Sequence, residues 1–359
     1  MGNKILIAMS GGVDSSVAAL ILKKQGYDCM GANMRLYSNE AAGILSRTCC
    51  SLDDAQDARQ VCGRLGIPFY VFNFKDDFRK EVISRFISCY ENGVTPNPCI
   101  DCNRYIKYGR FLNRAKELGA DTMATGHYAR IERDAETGRY LLKKAADDGK
   151  DQSYVLAFMT QEQLAHTRFP LGNLTKTEVR KIAHENAFVN ASKHDSQDIC
   201  FIPDGNYAEF IRKHAETGTT PGEFVDEDGR ILGRHGGIIN YTIGQRKGLG
   251  IYSDRPYYVS RIIPEENVVV LTHDSDAGSV SLTACRLNFI AVPDITSPIR
   301  VKARIRYRHI EQWATVSRTG DDEIKVVFDE TQRAVTKGQA VVLYDGDNVV
   351  GAGTITGTA

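Results

Sequence analysis

The chain has 359 residues, 42 % hydrophobic and 25 % charged, and its 45 Lys and Arg balance 45 Asp and Glu at a formal net charge of +0. This composition excludes a disordered or fibrous protein, and the missing charge excess means that a nucleic-acid partner must be sought in local patches. The length allows two or three domains, and nine cysteines without a signal peptide, a long apolar run or a low-complexity tail point to a cytoplasmic protein with no membrane partner and reduced thiols.

Residues 4–8 (K-I-L-I-A) form a short apolar run of the buried parallel-strand kind, and residues 16–25 repeat apolar side chains at helical spacing through Val17, Leu20, Ile21 and Leu22. Between them lies Ala8-Met9-Ser10-Gly11-Gly12-Val13-Asp14-Ser15-Ser16. Its glycines let a ligand approach the backbone, and its hydroxyls and helix-start amides can donate to phosphate oxygens. The stretch reads as a pyrophosphate cradle. It is not a Walker loop, since Gly-Lys-Ser and Gly-Lys-Thr do not occur. Asp14 at the helix start fits either a Mg²⁺ ligand beside polyphosphate or a loop-shaping cap.

Residues 28–36 predict a second strand, 39–50 a mobile loop, Ser51 a cap for a helix over 52–65, and 68–74 a third strand. That rhythm is the start of an α/β doubly wound parallel sheet, with ligands expected beyond the carboxyl ends of the strands. A helix over 77–91 leads into Thr95-Pro96-Asn97-Pro98-Cys99-Ile100-Asp101-Cys102-Asn103, whose prolines predict an extended, stiff approach to the next helix. That helix, over 104–118, carries Arg104, Lys107, Arg110, Arg114 and Lys116 on a basic face that fits a solvated surface as well as it fits RNA. A strand over 121–125 ends at Gly126-His127-Tyr128, and a hairpin is expected from 128–131 and 140–144 around a turn at 134–138. Lys150-Asp151-Gln152 begins an apolar helix, Thr175-Lys176-Thr177-Glu178 has the form of a capping box, and 191–205 is a polar segment holding Cys200.

From residue 206 the character changes to one helix (207–216) and glycine-rich hairpin signals, and from 286 to strand after strand. The expected domains are 1–205 (catalytic), 206–285 (small, mixed) and 286–359 (a closing β-barrel). In the last, residues 300–309 (R-V-K-A-R-I-R-Y-R-H) alternate strictly. A strand there would place Arg300, Lys302, Arg304, Arg306 and Arg308 on one face, a stripe whose self-repulsion calls for a facing anion such as an RNA backbone.

Cys99 and Cys102 form a C-x-x-C at a helix start, where the dipole, Arg104 and Lys107 would favour thiolate. With Cys200 they permit a nucleophile and persulfide relay, three ligands of an iron–sulfur cluster, or part of a zinc site. Cys29, Cys62, Cys89 and Cys285 read as packing residues, and Cys49 and Cys50 are unassigned. His127 fits a ligand contact at a strand end or a structural role.

Together S-G-G-V-D-S-S at Ser10, T-P-N-P at Thr95, A-T-G-H-Y at Ala124, K-D-Q-S-Y at Lys150, D-I-C-F-I at Asp198, Y-T-I-G-Q-R-K-G-L-G-I at Tyr241, R-Y-R at Arg306 and K-G-Q at Lys337 resemble the bacterial tRNA-specific 2-thiouridylases, the MnmA family, over nearly the whole chain. The resemblance implies ATP-dependent replacement of oxygen by sulfur at C2 of the wobble uridine of tRNA. It implies ATP over Ala8, Met9, Ser10, Gly11, Gly12, Val13, Asp14 and Ser15, with Met34 and Gly126 lining the nucleotide site. Cys200 would carry persulfide sulfur and Cys102 would release it, the pair ending as a disulfide. Asn97, Pro98 and Cys99 would frame an extruded base, and His127, Lys150, Asp151, Gln152, Arg306, Tyr307 and Gln339 would hold the tRNA. The sulfur donor would be a persulfide carrier or sulfide. One departure is Cys99, where many members carry Asp: Cys99, Cys102 and Cys200 resemble the ligand set of related thiolation enzymes that hold a 4Fe–4S cluster, leaving persulfide and cluster routes both open. Two rivals keep part of the pattern: another adenylating enzyme of the amide-forming kind, which explains neither the cysteines nor the basic strand, and a catalytically silent RNA-binding protein.

Overall fold

The computed structural model describes residues 3–37, 52–193, 199–202, 204–273 and 278–358. The expected loop at 39–50, with Cys49 and Cys50, the Ser51 cap and Asp198 lie outside these. The chain divides into two compact units, one of Met1–Val82, Cys99–Gly205 and Gly346–Val350, the other of Ile83–Pro98, Asn206–Asp345 and Gly351–Ala359.

In the first unit β1 (Lys4–Ala8) lies inside a five-stranded parallel sheet with β2 (Asp28–Arg35), β3 (Phe69–Asn73), β4 (Thr122–Ala124) and β7 (Thr167–Arg168), in the order β3-β2-β1-β4-β7. Ile5 pairs with Cys29 on one side and Thr122 on the other, and Ile5, Leu6 and Ile7 are fully buried. A strand covered on both faces must be apolar throughout, which is why β1 shows no alternation. Helices α1 (Val13–Lys24) and α2 (Leu52–Leu65) and the helix Lys176–Glu185 share one core with β1 through Val17, Ala58 and Val179. Each of the two valines contributes about 1.5–3 kcal/mol by leaving water, and the alanine methyl less.

α1 starts at Val13, three residues before the expected point. Its first turn is polar and reads as loop, yet Ser15 and Ser16 turn their hydroxyls back to donate to the Gly12 carbonyl at 3.0 and 3.1 Å. The helix expected over 77–91 begins earlier, running as Lys75–Phe78, a π-wound turn Arg79–Ile83, and Ser84–Glu91. The extended approach expected from the prolines at 95–103 ends at Pro98. There the next helix opens as Pro98–Asp101, because proline at a first helical position gives up no hydrogen bond and has its φ already set. It continues as a π-helix over Cys102–Phe111 and an α-helix over Leu112–Glu117. The hairpin forms from β5 (Arg130–Arg133) and β6 (Tyr140–Lys143), closed by Asp134, whose carboxylate accepts the Glu136 amide at 2.8 Å. The helix after Lys150 is one turn, Ser153–Leu156, whereas the capping box at Thr175 is complete.

In the second unit the helix Tyr207–Arg212 is capped by Asn206 and stops short of the expected 216, where the Glu91 carboxylate takes the amides of Glu216 and Thr217 at 2.7 and 2.9 Å. Strands β8 (Gly222–Val225), β9 (Ile231–His235), β10 (Tyr258–Ile263) and β11 (Val268–Thr272) form a sheet in the order β10-β11-β8-β9 around Phe224, Val259, Val269 and Leu271. Strands β12 (Gly278–Phe289), β13 (Ile299–Arg304), β14 (Gln312–Gly320), β15 (Glu323–Arg333), β16 (Ala340–Asp345) and β17 (Asn348–Thr358) follow one another as β12-β15-β14-β13-β16-β17, and pairing of β12 with β17 closes the barrel. β12 runs through residue 285 without a break.

Candidate active site

The loop after β1 is held from three sides. The first bond of α1 is Ser16 N–H to Gly12 O at 3.4 Å, which leaves the N–H groups of Val13, Asp14 and Ser15 at the helix head without a partner inside the helix. These are the groups an anion needs. Gly11 has φ +81°, and a Cβ there would run into the Asp54 carbonyl. At Gly126 a Cβ would meet Asp14 C at 2.7 Å and Ser15 N at 2.8 Å, so the strand end after β4 lies directly on the loop. Met34, half-buried, stands next to the last residue of β2 on the same carboxyl edge of the sheet.

Asp14 is neither a free metal ligand nor a cap. Its carboxylate accepts from Lys176 Nζ at 2.8 Å on both oxygens and from the Tyr128 hydroxyl at 2.8 Å. Tyr128 is itself clamped: its N–H donates to Gln152 Oε1 at 2.9 Å and its carbonyl accepts the Gln152 amide at 2.9 Å. Asp151 is buried, accepting the Ala145 and Ser153 amides at 3.1 Å each and the Ser153 hydroxyl at 2.8 Å. The side chains of Asp151 and Gln152, expected on RNA, bond inside the fold: Asp151 holds the backbone at Ala145 and Ser153, and Gln152 fixes Tyr128, and through it Asp14. The K-D-Q and A-T-G-H-Y stretches thus serve the loop.

On the other side Asn190 Nδ2 donates to Gly11 O and Ser16 Oγ at 2.9 Å each, and Lys193 Nζ reaches Asp54, Asp57 at 2.8 Å and Gly11 O at 3.4 Å. Sequence reasoning did not single out Lys176, Asn190, Lys193 or Asp54. The only signal was the capping box that places Lys176 at the first position of its helix; nothing local shows that 162 residues separate it from its partner.

Cys99 and Cys102 stand one helical turn apart, Cys99 exposed and Cys102 buried. The surroundings of Cys102 do not favour thiolate as expected. Desolvation pushes the Cys102 thiol from 9.0 to about 11, with Lys107 pulling it back. A helix start alone does not offset the loss of water. Cys200 is half-buried on a segment fixed by the Tyr37 hydroxyl, which donates to its carbonyl at 2.6 Å, and by Phe201, packed edge-on to Phe78 at 5.7 Å. Among the described residues no three His, Cys, Asp or Glu side chains come together as a metal-binding group. In this arrangement the residues at 99, 102 and 200 are not gathered as the ligand set of a 4Fe–4S cluster or of zinc.

His127 lies in a polar nest. Lys107 donates to its Nε2 at 3.3 Å, and Nδ1 meets Thr125 Oγ1 at 2.7 Å and the Tyr108 hydroxyl at 2.9 Å. Burial first, and Lys107 second, hold its pKa well below the usual value, so the ring is neutral. On the basic face of that helix, Arg110 pairs with Asp77 at 2.9 Å, Lys116 with Glu162 at 2.8 Å, and Arg114 with Glu117. Those charges answer to the fold.

In the second unit the basic stripe is shorter than expected. β13 ends at Arg304, and 305–308 lie in a bend and a turn. Arg300 pairs with Asp329 through both terminal nitrogens, and Arg304 lies 3.4 Å from Glu311. The anions facing these two are the chain's own. Gln339, expected on RNA, donates its amide to the carbonyls of Thr95 and Pro96 at 3.0 and 3.1 Å, and Thr95 N–H donates to Lys337 O at 3.0 Å. The K-G-Q turn is a buckle on the T-P-N-P strap.

A parallel sheet with a phosphate-ready loop at its carboxyl edge, followed by two small β modules, defines a nucleotide-using enzyme of the HUP class. Family models agree with that class: the tRNA methyl transferase HUP domain matches residues 3–204, the tRNA methyl transferase PRC-barrel domain 208–273, and the aminomethyltransferase beta-barrel domain 279–355. The tRNA-specific 2-thiouridylase MnmA of Clostridioides difficile (strain 630) is 51 % identical over 355 residues, 99 % of this chain and 98 % of that protein. That of Acetivibrio thermocellus is 51 % identical over 354 residues, 98 % of this chain and 99 % of that one. The chain belongs to the MnmA family of tRNA-specific 2-thiouridylases. Among solved structures it is similar to a 4-thiouridine synthetase in complex with RNA and ATP, at 18 % identity and a TM-score of 0.35 over 58 % of this chain and 50 % of that one. No helix among the described residues is long and apolar enough to cross a membrane.

Proposed function

We propose that this chain replaces O2 of the wobble uridine of tRNA with sulfur at the expense of ATP. The observation that carries this reading is the head of α1, with its amides unspent, Gly126 pressed against it and Lys176 beside it. The membership of the family supports the rest. Ala8 to Ser15 take the phosphates, with Met34 and Gly126 along the nucleotide. Asp14, already paired with Lys176, would not be the group that holds a Mg²⁺ arriving with ATP; that ion would offset the charge of the phosphates. The uracil O2 attacks the α-phosphorus and pyrophosphate leaves; a carbonyl oxygen is a poor leaving group until it is esterified in this way.

Sulfur reaches Cys200 as a persulfide from a carrier. The Cys102 thiolate attacks the Cys200 Sγ, the Cys102–Cys200 disulfide forms, and hydrosulfide departs. It adds to C2 and expels AMP; an external dithiol then returns both cysteines to thiols. Asn97, Pro98 and Cys99 frame the base, which must leave its stack to react. His127, Lys150, Arg306 and Tyr307 hold the RNA, while Asp151, Gln152 and Gln339 act by placing the backbone of other motifs. We assign 1–205 to activation and the rest to RNA, with the expected boundary at 285/286 moved ahead of β12, which belongs whole to the barrel.

The test is incubation with ATP, tRNA and a persulfide or sulfide source, followed by nucleoside analysis for 2-thiouridine. Cys102→Ala and Cys200→Ala are expected to abolish sulfur incorporation and keep tRNA binding. An amide-forming synthetase or a silent RNA binder would be indifferent to both changes. Thiolation by iron-bearing protein alone would reinstate the cluster.

A further inference from the structure

The chain has one tryptophan, and it is not in a core. Trp313 stands on the outer face of the barrel, 48 % exposed, in register with Lys302 on the neighbouring strand. The Arg300 guanidinium lies 5.2 Å and the Lys302 ammonium 5.5 Å from its ring centre. Within the preceding seven residues Tyr307 and Ile310 are also exposed, and Arg306 and Arg308 lie beside them. Large apolar groups left in water this close together in the chain mark a surface that something covers. Its charge says what: Arg300 is matched by Asp329, but among the described residues Lys302, Arg306 and Arg308 have no carboxylate partner, the Arg306 guanidinium donating only to the Arg333 carbonyl at 3.1 Å. Aromatic rings interleaved with unmatched cations serve phosphate and unpaired bases together.

We propose that the Trp313–Lys302 face of the barrel binds the tRNA backbone, with a phosphate at Lys302 and an unpaired nucleotide against the open part of the indole. This assigns a contact beyond Arg306 and Tyr307, and it rests on the tRNA reading above. A second protein copy fits less well, since a symmetric contact would bring the same unmatched cations together.

Because Trp313 is the only tryptophan, its emission reports on this face alone. Full-length protein is titrated with tRNA while fluorescence and filter binding are read in parallel. The expected result is a saturable change in emission with the midpoint of the filter-binding curve. Lys302→Gln is expected to weaken binding and to lower the slope of log affinity against log salt by about one. Trp313→Leu is expected to cost roughly tenfold in affinity, and Trp313→Phe to recover most of it. Circular dichroism of each variant checks the fold, and the Lys302 result stands even where Trp313→Leu does not fold. Unchanged emission at saturating tRNA, or a Lys302→Gln variant with wild-type affinity and salt slope, overturns the proposal. Emission that changes with protein concentration alone points to a second copy and overturns it too. Loss of all tRNA binding in the filter assay would instead overturn the tRNA reading on which it rests.

Discussion

Lys176 sets its ammonium 2.8 Å from each oxygen of the Asp14 carboxylate, which joins the head of α1 to the start of the helix Lys176–Glu185. The pair is shielded, with the lysine side chain 11 % and the aspartate side chain 31 % exposed. Without the lysine, a carboxylate held only by Tyr128 would face the incoming phosphates. Lys176→Met is therefore expected to raise the KM for ATP roughly tenfold, about 1.4 kcal/mol of binding, and to lower stability by about 1–3 kcal/mol. Pyrophosphate release against ATP concentration, with urea unfolding alongside, checks both; a wild-type KM would show that the pair only holds the fold.

Gly126 touches the same loop without any charge. A methyl group there meets backbone atoms of Asp14 and Ser15 at 2.7 and 2.8 Å, and backbone cannot rotate away as a side chain can. Gly126→Ala is expected to shift the loop, costing about 1–3 kcal/mol of stability and most of the ATP affinity. Equilibrium ATP binding decides; unchanged affinity would mean that the loop yields freely.

The thiol at Cys102 gives a pH signature. Its neutral form is favoured by burial, with a value of about 11 instead of 9.0, and Lys107 opposes that shift. Single-turnover sulfur transfer should rise close to tenfold per pH unit from neutrality to about pH 10, with no plateau near the ordinary thiol value. Lys107→Met removes the cation, raises the thiol further and lowers the rate throughout that range. The same group stabilises the fold below pH 9, and that contribution is lost as pH rises from about 9 to about 11. A plateau near pH 8 would mean that a thiolate already forms there.

Gln339 tests the strap. Gln339→Leu takes donors from the Thr95 and Pro96 carbonyls, so residues 95–97 lose their fixed course. Thiolation of tRNA should fall severalfold while ATP binding is unchanged. A variant impaired in both would place the effect on folding instead.

The α/β rhythm and the cradle were legible because β1 is apolar throughout and glycines, hydroxyls and a helix start coincide within eight residues. The capping box at Thr175 was legible too, since its two bonds are local. Lys176, Asn190 and Lys193 were not: their partners at Asp14, Gly11 and Asp54 lie more than a hundred residues away, and sequence spacing carries no trace of that return. The basic stripe was overread for a related reason. Alternation reveals which side chains share a face, but Asp329 and Glu311, which neutralise Arg300 and Arg304, come from elsewhere in the barrel. Pro98 was misread because a proline that breaks a helix from within also begins one well.

Cys102–Phe111 is wound as a π-helix, and Lys107, five residues on from Cys102, is the cation that acts on the buried thiol. Around an ordinary α-helix, neighbours on one face are three and four residues apart; a helix bonded five residues on brings a fifth residue back toward the same side. Lys107 is that residue for Cys102. Sulfur reactivity is thus written into the pitch of a backbone, and deleting a single residue between 103 and 106 would retune it without replacing either partner.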